Sequence, residues 1–91
     1  MEDIKRFLNK DGQIEVWPAK LKNKIGVLDY LVTKFEMSKV YSEAEINSVI
    51  EKWSSFGDHV LLRRALIDYK FLIRDSSGRE YMVDEDVFEA D

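Results

Sequence analysis

The chain has 91 residues, no cysteine, and 18 acidic against 14 basic side chains, which gives a net charge of −4. This length suits one domain, and the absence of cysteine excludes disulfides, thiol catalysis and cysteine-based metal centres. No apolar run approaches a membrane span, and the acidic start lacks the positive charge of a secretory leader. We therefore expect a cytoplasmic protein without a membrane partner.

Charge is unevenly distributed along the chain. Positions 80–91 hold six acidic and no basic residues, whereas positions 1–79 hold all 14 basic residues and 12 acidic ones. We predict a single domain over residues 1–91 with an acidic C-terminal end at 84–91. A net acidic chain is not the usual electrostatic footprint of a nucleic-acid-binding protein, so only this asymmetry keeps such a partner open.

The N-terminal part of the chain predicts a short helix and then a short strand. Apolar residues in the segment 2–10 recur at helical spacing, and Gly12 suits the left-handed end of that helix. Residues 13–17 alternate polar and apolar side chains, as a half-buried strand does, and Pro18 ends the alternation. We expect this strand to pair with a hairpin near the C-terminus.

Two amphipathic helices follow. Apolar residues at steps of three and four in the segment 20–35 predict a core-facing stripe, widened by two neighbours: Leu21, Ile25, Leu28, Val32 and Phe35, with Tyr30 and Leu31. Ser42 and Glu45 have the spacing of a capping box at the start of the second helix. The core-facing residues of that helix are predicted to be Ile46, Val49, Ile50 and Trp53.

Residues 58–70 predict a third helix with apolar side chains on two faces, capped by Ser55 or Asp58. At about 100° per residue, one broad face is apolar and suits the core: Leu61, Leu62, Ala65, Leu66 and Tyr69. The opposite face combines apolar and basic side chains: Val60, Ile67, Arg63 and Arg64, with Lys70 on the Arg63 side.

A β-hairpin is predicted directly after the third helix, with its turn at 75–78. The order helix, helix, helix, strand, turn, strand predicts an α+β, mainly helical, winged-helix-like fold. It would consist of a three-helix core and a C-terminal hairpin wing, with the short early strand and an extra N-terminal helix.

Two functions without catalysis remain open for this chain. The first is double-stranded DNA binding by the third helix and the wing, through the basic residues Arg63, Arg64, Lys70, Arg74 and Arg79. A DNA-reading helix usually has a polar outer face, however, and here Val60 and Ile67 occupy it.

The second function is therefore a protein interface, with a second copy or another regulator, formed by Val60, Ile67 and Trp17, together with Tyr30. Arg63 and Arg64 would then pair with Glu43, Glu45 or Glu51.

The residue combinations that carry catalysis are missing. His59 is the only histidine, and the sequence has no glycine-rich phosphate loop and no metal-ligand spacing. We expect no enzymatic activity and no cofactor.

Three stretches of the chain are similar to one bacterial family. They are Tyr41-Ser42-Glu43-Ala44-Glu45-Ile46-Asn47, Leu62-Arg63-Arg64, and the segment from Arg74 through Gly78 to Tyr81. They resemble the family known as domain of unknown function 2087, and the resemblance covers nearly the whole chain. It implies a winged-helix-like fold and an association with transcription regulators, and it supplies no catalytic or binding residues. Tyr69-Lys70 departs from the family, in which many members have a residue followed by glycine.

Overall fold

The computed structural model describes residues 4–85. After one turn of 3-10 helix at Lys5–Phe7, the elements in chain order are helix α1 at Leu21–Val32, strand β1 at Tyr41–Ser42, helix α2 at Glu43–Lys52, helix α3 at His59–Asp68, strand β2 at Leu72–Arg74 and strand β3 at Glu80–Val83. Within the described range, the extra helix predicted over 2–10 is reduced to the turn at Lys5–Phe7. The acidic end predicted at 84–91 lies outside the described residues except for positions 84 and 85.

The three strands form one antiparallel sheet in the order β1-β3-β2. In its centre, Tyr81 of β3 lies between Tyr41 of β1 and Arg74 of β2. Helix α3 leads directly into β2, so the third helix and the hairpin adjoin each other. Three helices and this small sheet make a mixed α+β, mainly helical fold that is compatible with a winged-helix-like arrangement. The predicted fold class is therefore confirmed.

The first strand of the sheet is not the predicted one. Residues 13–17 do not join the sheet, and Ile14 instead makes isolated bridges with Leu8 and Ser54. Strand β1, between α1 and α2, takes the position beside β3. A strand of two residues is too short to show alternation, so periodicity could not reveal it.

Among residues 4–85, a single hydrophobic core joins the three helices to the sheet. The core-facing stripe of α1 differs from the predicted one in its first half, because Val27, which was not predicted, is completely buried, whereas Leu21 is 58 % and Ile25 36 % exposed. The rest of the predicted stripe is confirmed, since these residues are buried: Leu28, Leu31, Val32 and Phe35. Both stripes satisfy helical spacing, and the sequence alone cannot decide between overlapping stripes. Tyr69, predicted as core, is 38 % exposed because α3 ends at the preceding residue.

Helix caps were predicted well. The Ser42 hydroxyl accepts a hydrogen bond from the Glu45 backbone N–H at 3.1 Å, and the Glu45 carboxylate accepts one from the Ser42 N–H at 2.8 Å. This confirms the capping box, and the hydrogen bond from the Ser42 N–H to the carboxylate is the main cause that lowers the pKa of Glu45. Asp58, not Ser55, caps α3 by accepting from the Leu61 N–H at 3.1 Å.

The corner between α3 and β2 has one residue in a left-handed backbone conformation. Lys70 has a φ of 70°, in the left-handed region. Glycine adopts this conformation without the steric cost that a Cβ brings. Lys70 therefore occupies this corner with some strain.

Candidate nucleic-acid interface

Helix α3 and strand β2 bring three arginines around one shallow depression of about 370 Å³. We call this the arginine surface, and it is lined by Val60, Arg63, Arg64, Ile67, Asp68 and Arg74. Five of these residues lie on α3, and the sixth comes from the first strand of the hairpin. The depression thus joins the outer face of the third helix to the base of the wing.

Helical spacing explains why the α3 residues lie together. Positions 60, 63, 64 and 67 follow the i, i+3, i+4, i+7 pattern of one helix face. The other face is fixed in the core, where Leu62 and Leu66 are completely buried. Val60 is 43 % exposed and Ile67 is half-buried, so the predicted outer face of α3 does reach solvent.

Arg63 is held by an amide rather than by a carboxylate. Its Nη1 donates a 2.6 Å hydrogen bond to Oδ1 of Asn47 on α2, and the side chain is half-buried. A guanidinium has five donors in a planar fork, so this bond leaves others available. Arg64, one residue further, is exposed.

The glutamates of α2 are engaged elsewhere, which argues against the predicted ion pairs. Glu43 accepts a hydrogen bond from the Tyr81 hydroxyl, Glu45 belongs to the capping box, and Glu51 lies 3.2 Å from Nδ1 of His59. Within residues 4–85, Arg63 and Arg64 form no ion pair with a carboxylate. The predicted pairing of these arginines with α2 is therefore wrong for this part of the chain.

Arg74 extends over the turn of the hairpin. A Cβ at Gly78 would lie 2.6 Å from its Nη2 and 3.0 Å from its Nε, so the guanidinium packs against the bare backbone of that glycine. Gly78 also has a φ of 76°, which favours glycine. Both features favour a glycine at this position.

Asp75 organises the same turn. Its carboxylate accepts hydrogen bonds from the backbone N–H groups of Arg79 and Glu80, at 3.0 and 3.2 Å, and from the Ser77 hydroxyl at 2.9 Å. These hydrogen bonds, that from Glu80 foremost, lower the pKa of Asp75. The carboxylate therefore stabilises the turn over which the Arg74 side chain extends.

The hydroxyl of Tyr81 connects the sheet to the start of α2. It donates a 3.1 Å hydrogen bond to Oε1 of Glu43, and the tyrosine is only 1 % exposed. Burial, and then this bond and the charge of Glu43, raise the pKa of Tyr81, while the charges of Arg63 and Arg74 act to lower it. The two arginines are thus close enough to influence one buried phenol, and Tyr81 fixes the wing relative to α2.

The other predicted site residues lie outside this depression. Lys70, at the corner after α3, and Arg79, in the hairpin turn, are exposed but do not line it. Trp17 is half-buried, packs against the core, and has Nζ of Lys24 5.8 Å from its ring centroid. Trp17 does not line the depression that Val60 and Ile67 line.

Two residues of the site were missed from the sequence. Asn47 holds Arg63 from sixteen positions away, and no local spacing connects two residues on different helices. Asp68 brings a carboxylate into the arginine surface. It lies four residues after Arg64, and this spacing indicates that the two side chains are on the same face of a helix.

Neither a metal centre nor a membrane helix is found in the described part of the chain. No group of three or more histidine and carboxylate side chains among residues 4–85 is arranged to hold a metal ion. None of the helices in that range is long and apolar enough to cross a membrane.

The sequence matches the profile of a protein family. No curated protein and no solved structure is significantly similar to this chain. The profile of a bacterial family, described as uncharacterized protein conserved in bacteria (DUF2087), matches residues 13–83. This match covers well over half of the sequence and includes the capping box, the arginines of α3 and the whole hairpin. The chain therefore belongs to the DUF2087 family.

Proposed function

We propose that this chain is a non-catalytic, winged-helix-type DNA-binding domain that serves a bacterial transcription regulator. The observation that carries the proposal is the arginine surface, where Arg63, Arg64 and Arg74 surround one depression between the third helix and the wing. A cytoplasmic location, where bacterial DNA lies, is part of the same proposal.

The state of the three arginines supports phosphate binding. Among residues 4–85 none of them forms an ion pair with a carboxylate. Arginine presents a planar fork of donors that matches the geometry of a phosphate group. Asn47 accepts a hydrogen bond from the Arg63 guanidinium, and the Arg74 guanidinium packs against Gly78; both contacts reduce the entropy that binding would cost.

The apolar side chains of the surface fit the same proposal. In the major groove, apolar side chains contact the C5-methyl group of thymine. Val60 and Ile67 lie on the exposed face of α3 beside the arginines. The helix would then read thymine methyls through them, while the arginines contact the backbone.

Two features limit the affinity. The chain carries a net charge of −4, and Asp68 lies within the arginine surface. A carboxylate close to a phosphate is repelled by it. We therefore expect a modest affinity for duplex DNA that depends strongly on salt. In the complex, the phosphates would lie on the side of the arginines away from Asp68.

Fluorescence anisotropy with labelled duplexes of mixed sequence tests this function. Each neutralised phosphate contributes about −0.9 to the slope of log K against log salt, so three arginine contacts predict a slope of about −2.7. The variant Arg63→Ala/Arg64→Ala is expected to reduce the slope to about −0.9. Lys10→Ala/Lys20→Ala removes the same charge from exposed positions outside the surface and should leave the slope unchanged.

The second candidate function is a protein-interaction module without DNA contact. It is favoured by the 43 % exposure of Val60 on the outer face of α3. The same assay separates the two functions. Absence of duplex binding at low salt would remove the DNA proposal and leave this second function in its place.

A further inference from the structure

A second, more apolar groove lies along the side of α1 that faces away from the core. Its volume is about 800 Å³, and it is lined by residues that include Leu21, Ile25, Gly26 and Tyr30; we call it the α1 groove. Leu21 and Ile25 are 58 % and 36 % exposed although they are large aliphatic residues. Exposed apolar side chains grouped on one helix are typical of an interface.

The charges along the groove are arranged symmetrically about its centre. Lys22 and Asp29 both line it and are seven residues apart, which is two helical turns or about 10 Å along the axis. Ile25 and Gly26 lie midway between them. Reversing the direction of such a helix places lysine opposite aspartate and aspartate opposite lysine, so the groove is complementary to itself.

We infer that the α1 groove is a homodimer interface in which two α1 helices pack antiparallel about a two-fold axis near Ile25 and Gly26. In a two-fold interface each contact occurs twice, so Lys22 of each copy meets Asp29 of the other. Gly26 has no side chain, which allows the two helix backbones to approach closely. Lys22 also interacts within its own chain, so the contact with the second copy is an additional one.

The dimer is independent of the proposed DNA contact. No residue lines both the α1 groove and the arginine surface, so the two proposals rest on different residues. Stable interfaces bury about 1,200–2,000 Å² in total, whereas a single helix face contributes less. The association is therefore concentration-dependent rather than obligate.

Analytical ultracentrifugation of the full chain at low salt, from about 10 µM to 1 mM, tests the inference. The wild type should convert from monomer to dimer across this range. Ile25→Glu places a charge at the centre of the interface and should abolish the dimer. Ile73→Glu, at a side chain 52 % exposed on β2, is the matched control and should dimerise as the wild type does.

Charge reversal identifies the antiparallel arrangement. Lys22→Glu or Asp29→Lys alone creates two like-charged contacts per dimer and should weaken association by about tenfold. The double variant should associate as strongly as the wild type, and an equimolar mixture of the two single variants should form heterodimers. Only contacts between residue 22 of one copy and residue 29 of the other produce that rescue.

Three results would overturn the inference. They are a chain that stays monomeric at the highest concentration, a dimer that Ile25→Glu leaves intact, and charge variants that fail to rescue each other. A groove occupied by another segment of this chain, or by a different protein, predicts the first of these results. Loss of duplex binding in the arginine variants has no effect on this test.

Discussion

Two glycines with similar backbone conformations provide a controlled test of the wing. Gly57 has a φ of 85° and Gly78 one of 76°, both in the left-handed region. A Cβ at Gly57 would meet no atom within 4 Å, whereas a Cβ at Gly78 would lie 2.6 Å from Nη2 of Arg74. Gly57→Ala therefore changes the backbone energy alone, while Gly78→Ala also displaces a guanidinium.

The expected loss of stability is similar for both variants. A left-handed conformation costs a residue with a Cβ about 1–2 kcal/mol. Alanine recovers about 0.4–1 kcal/mol of this by restricting the unfolded chain, which leaves a net loss of about 1 kcal/mol. For a domain of this size, that loss lowers Tm by about 4–8 °C. The clash at Gly78 adds little because it involves the flexible end of Arg74.

The two variants should differ in duplex binding. Gly78→Ala moves the Arg74 guanidinium away from the turn and should weaken binding by about tenfold, the value of one charged hydrogen bond. Gly57→Ala should bind as the wild type does. Urea denaturation followed by circular dichroism measures stability, and anisotropy at low salt measures affinity. Equal affinities of the two variants for the duplex would refute a role in DNA binding for the position of the Arg74 guanidinium over Gly78. Unchanged stability of both variants would refute the cost of a left-handed backbone conformation at these positions.

Three further changes test the caps and the buried contacts. Ser42→Ala should destabilise the protein by about 1 kcal/mol through loss of the capping box, whereas Ser48→Ala, at an exposed position inside α2, should have little effect in the same urea titration. Tyr81→Phe should cost about 1 kcal/mol at neutral pH. The pKa of Tyr81 is raised in the folded protein, so the phenol of the unfolded chain ionises at a lower pH. The free energy of unfolding of the wild type should therefore fall as the pH rises above about 10, and that of Tyr81→Phe should lack this decrease. Parallel pH profiles of the two proteins would contradict this. Asn47→Ala releases Arg63 and should weaken duplex binding while leaving the slope against salt unchanged; a reduced slope would mean that Arg63 loses its phosphate contact altogether.

Sequence patterns predicted the structure correctly where the interacting residues lie within one turn of the chain. The capping box of Ser42 and Glu45 involves residues three positions apart, and its geometry follows from the backbone of the helix start. The hairpin turn ending at Gly78 follows from the conformational freedom of glycine. Such features depend on few other parts of the chain, so a sequence pattern describes them almost completely.

Features that depend on packing between elements could not be predicted in this way. The first half of the core stripe of α1 was misplaced, because Leu21 and Ile25 fit helical spacing as well as the residues that are buried. The strand predicted at 13–17 alternates as a strand should, yet the two-residue strand β1 takes its place in the sheet. The hydrogen bond between Asn47 and Arg63 required the mutual orientation of two helices.

The most direct measurement of the central claim is an NMR titration of the labelled chain with a short mixed-sequence duplex at low salt. If the arginine surface contacts DNA, the largest shifts should occur at the Nε–Hε signals of Arg63, Arg64 and Arg74 and at the backbone amides of α3 and the hairpin turn. Signals from Leu21 and Ile25 in the α1 groove should not change. Absence of shifts, or shifts confined to the α1 groove, would contradict the proposed function.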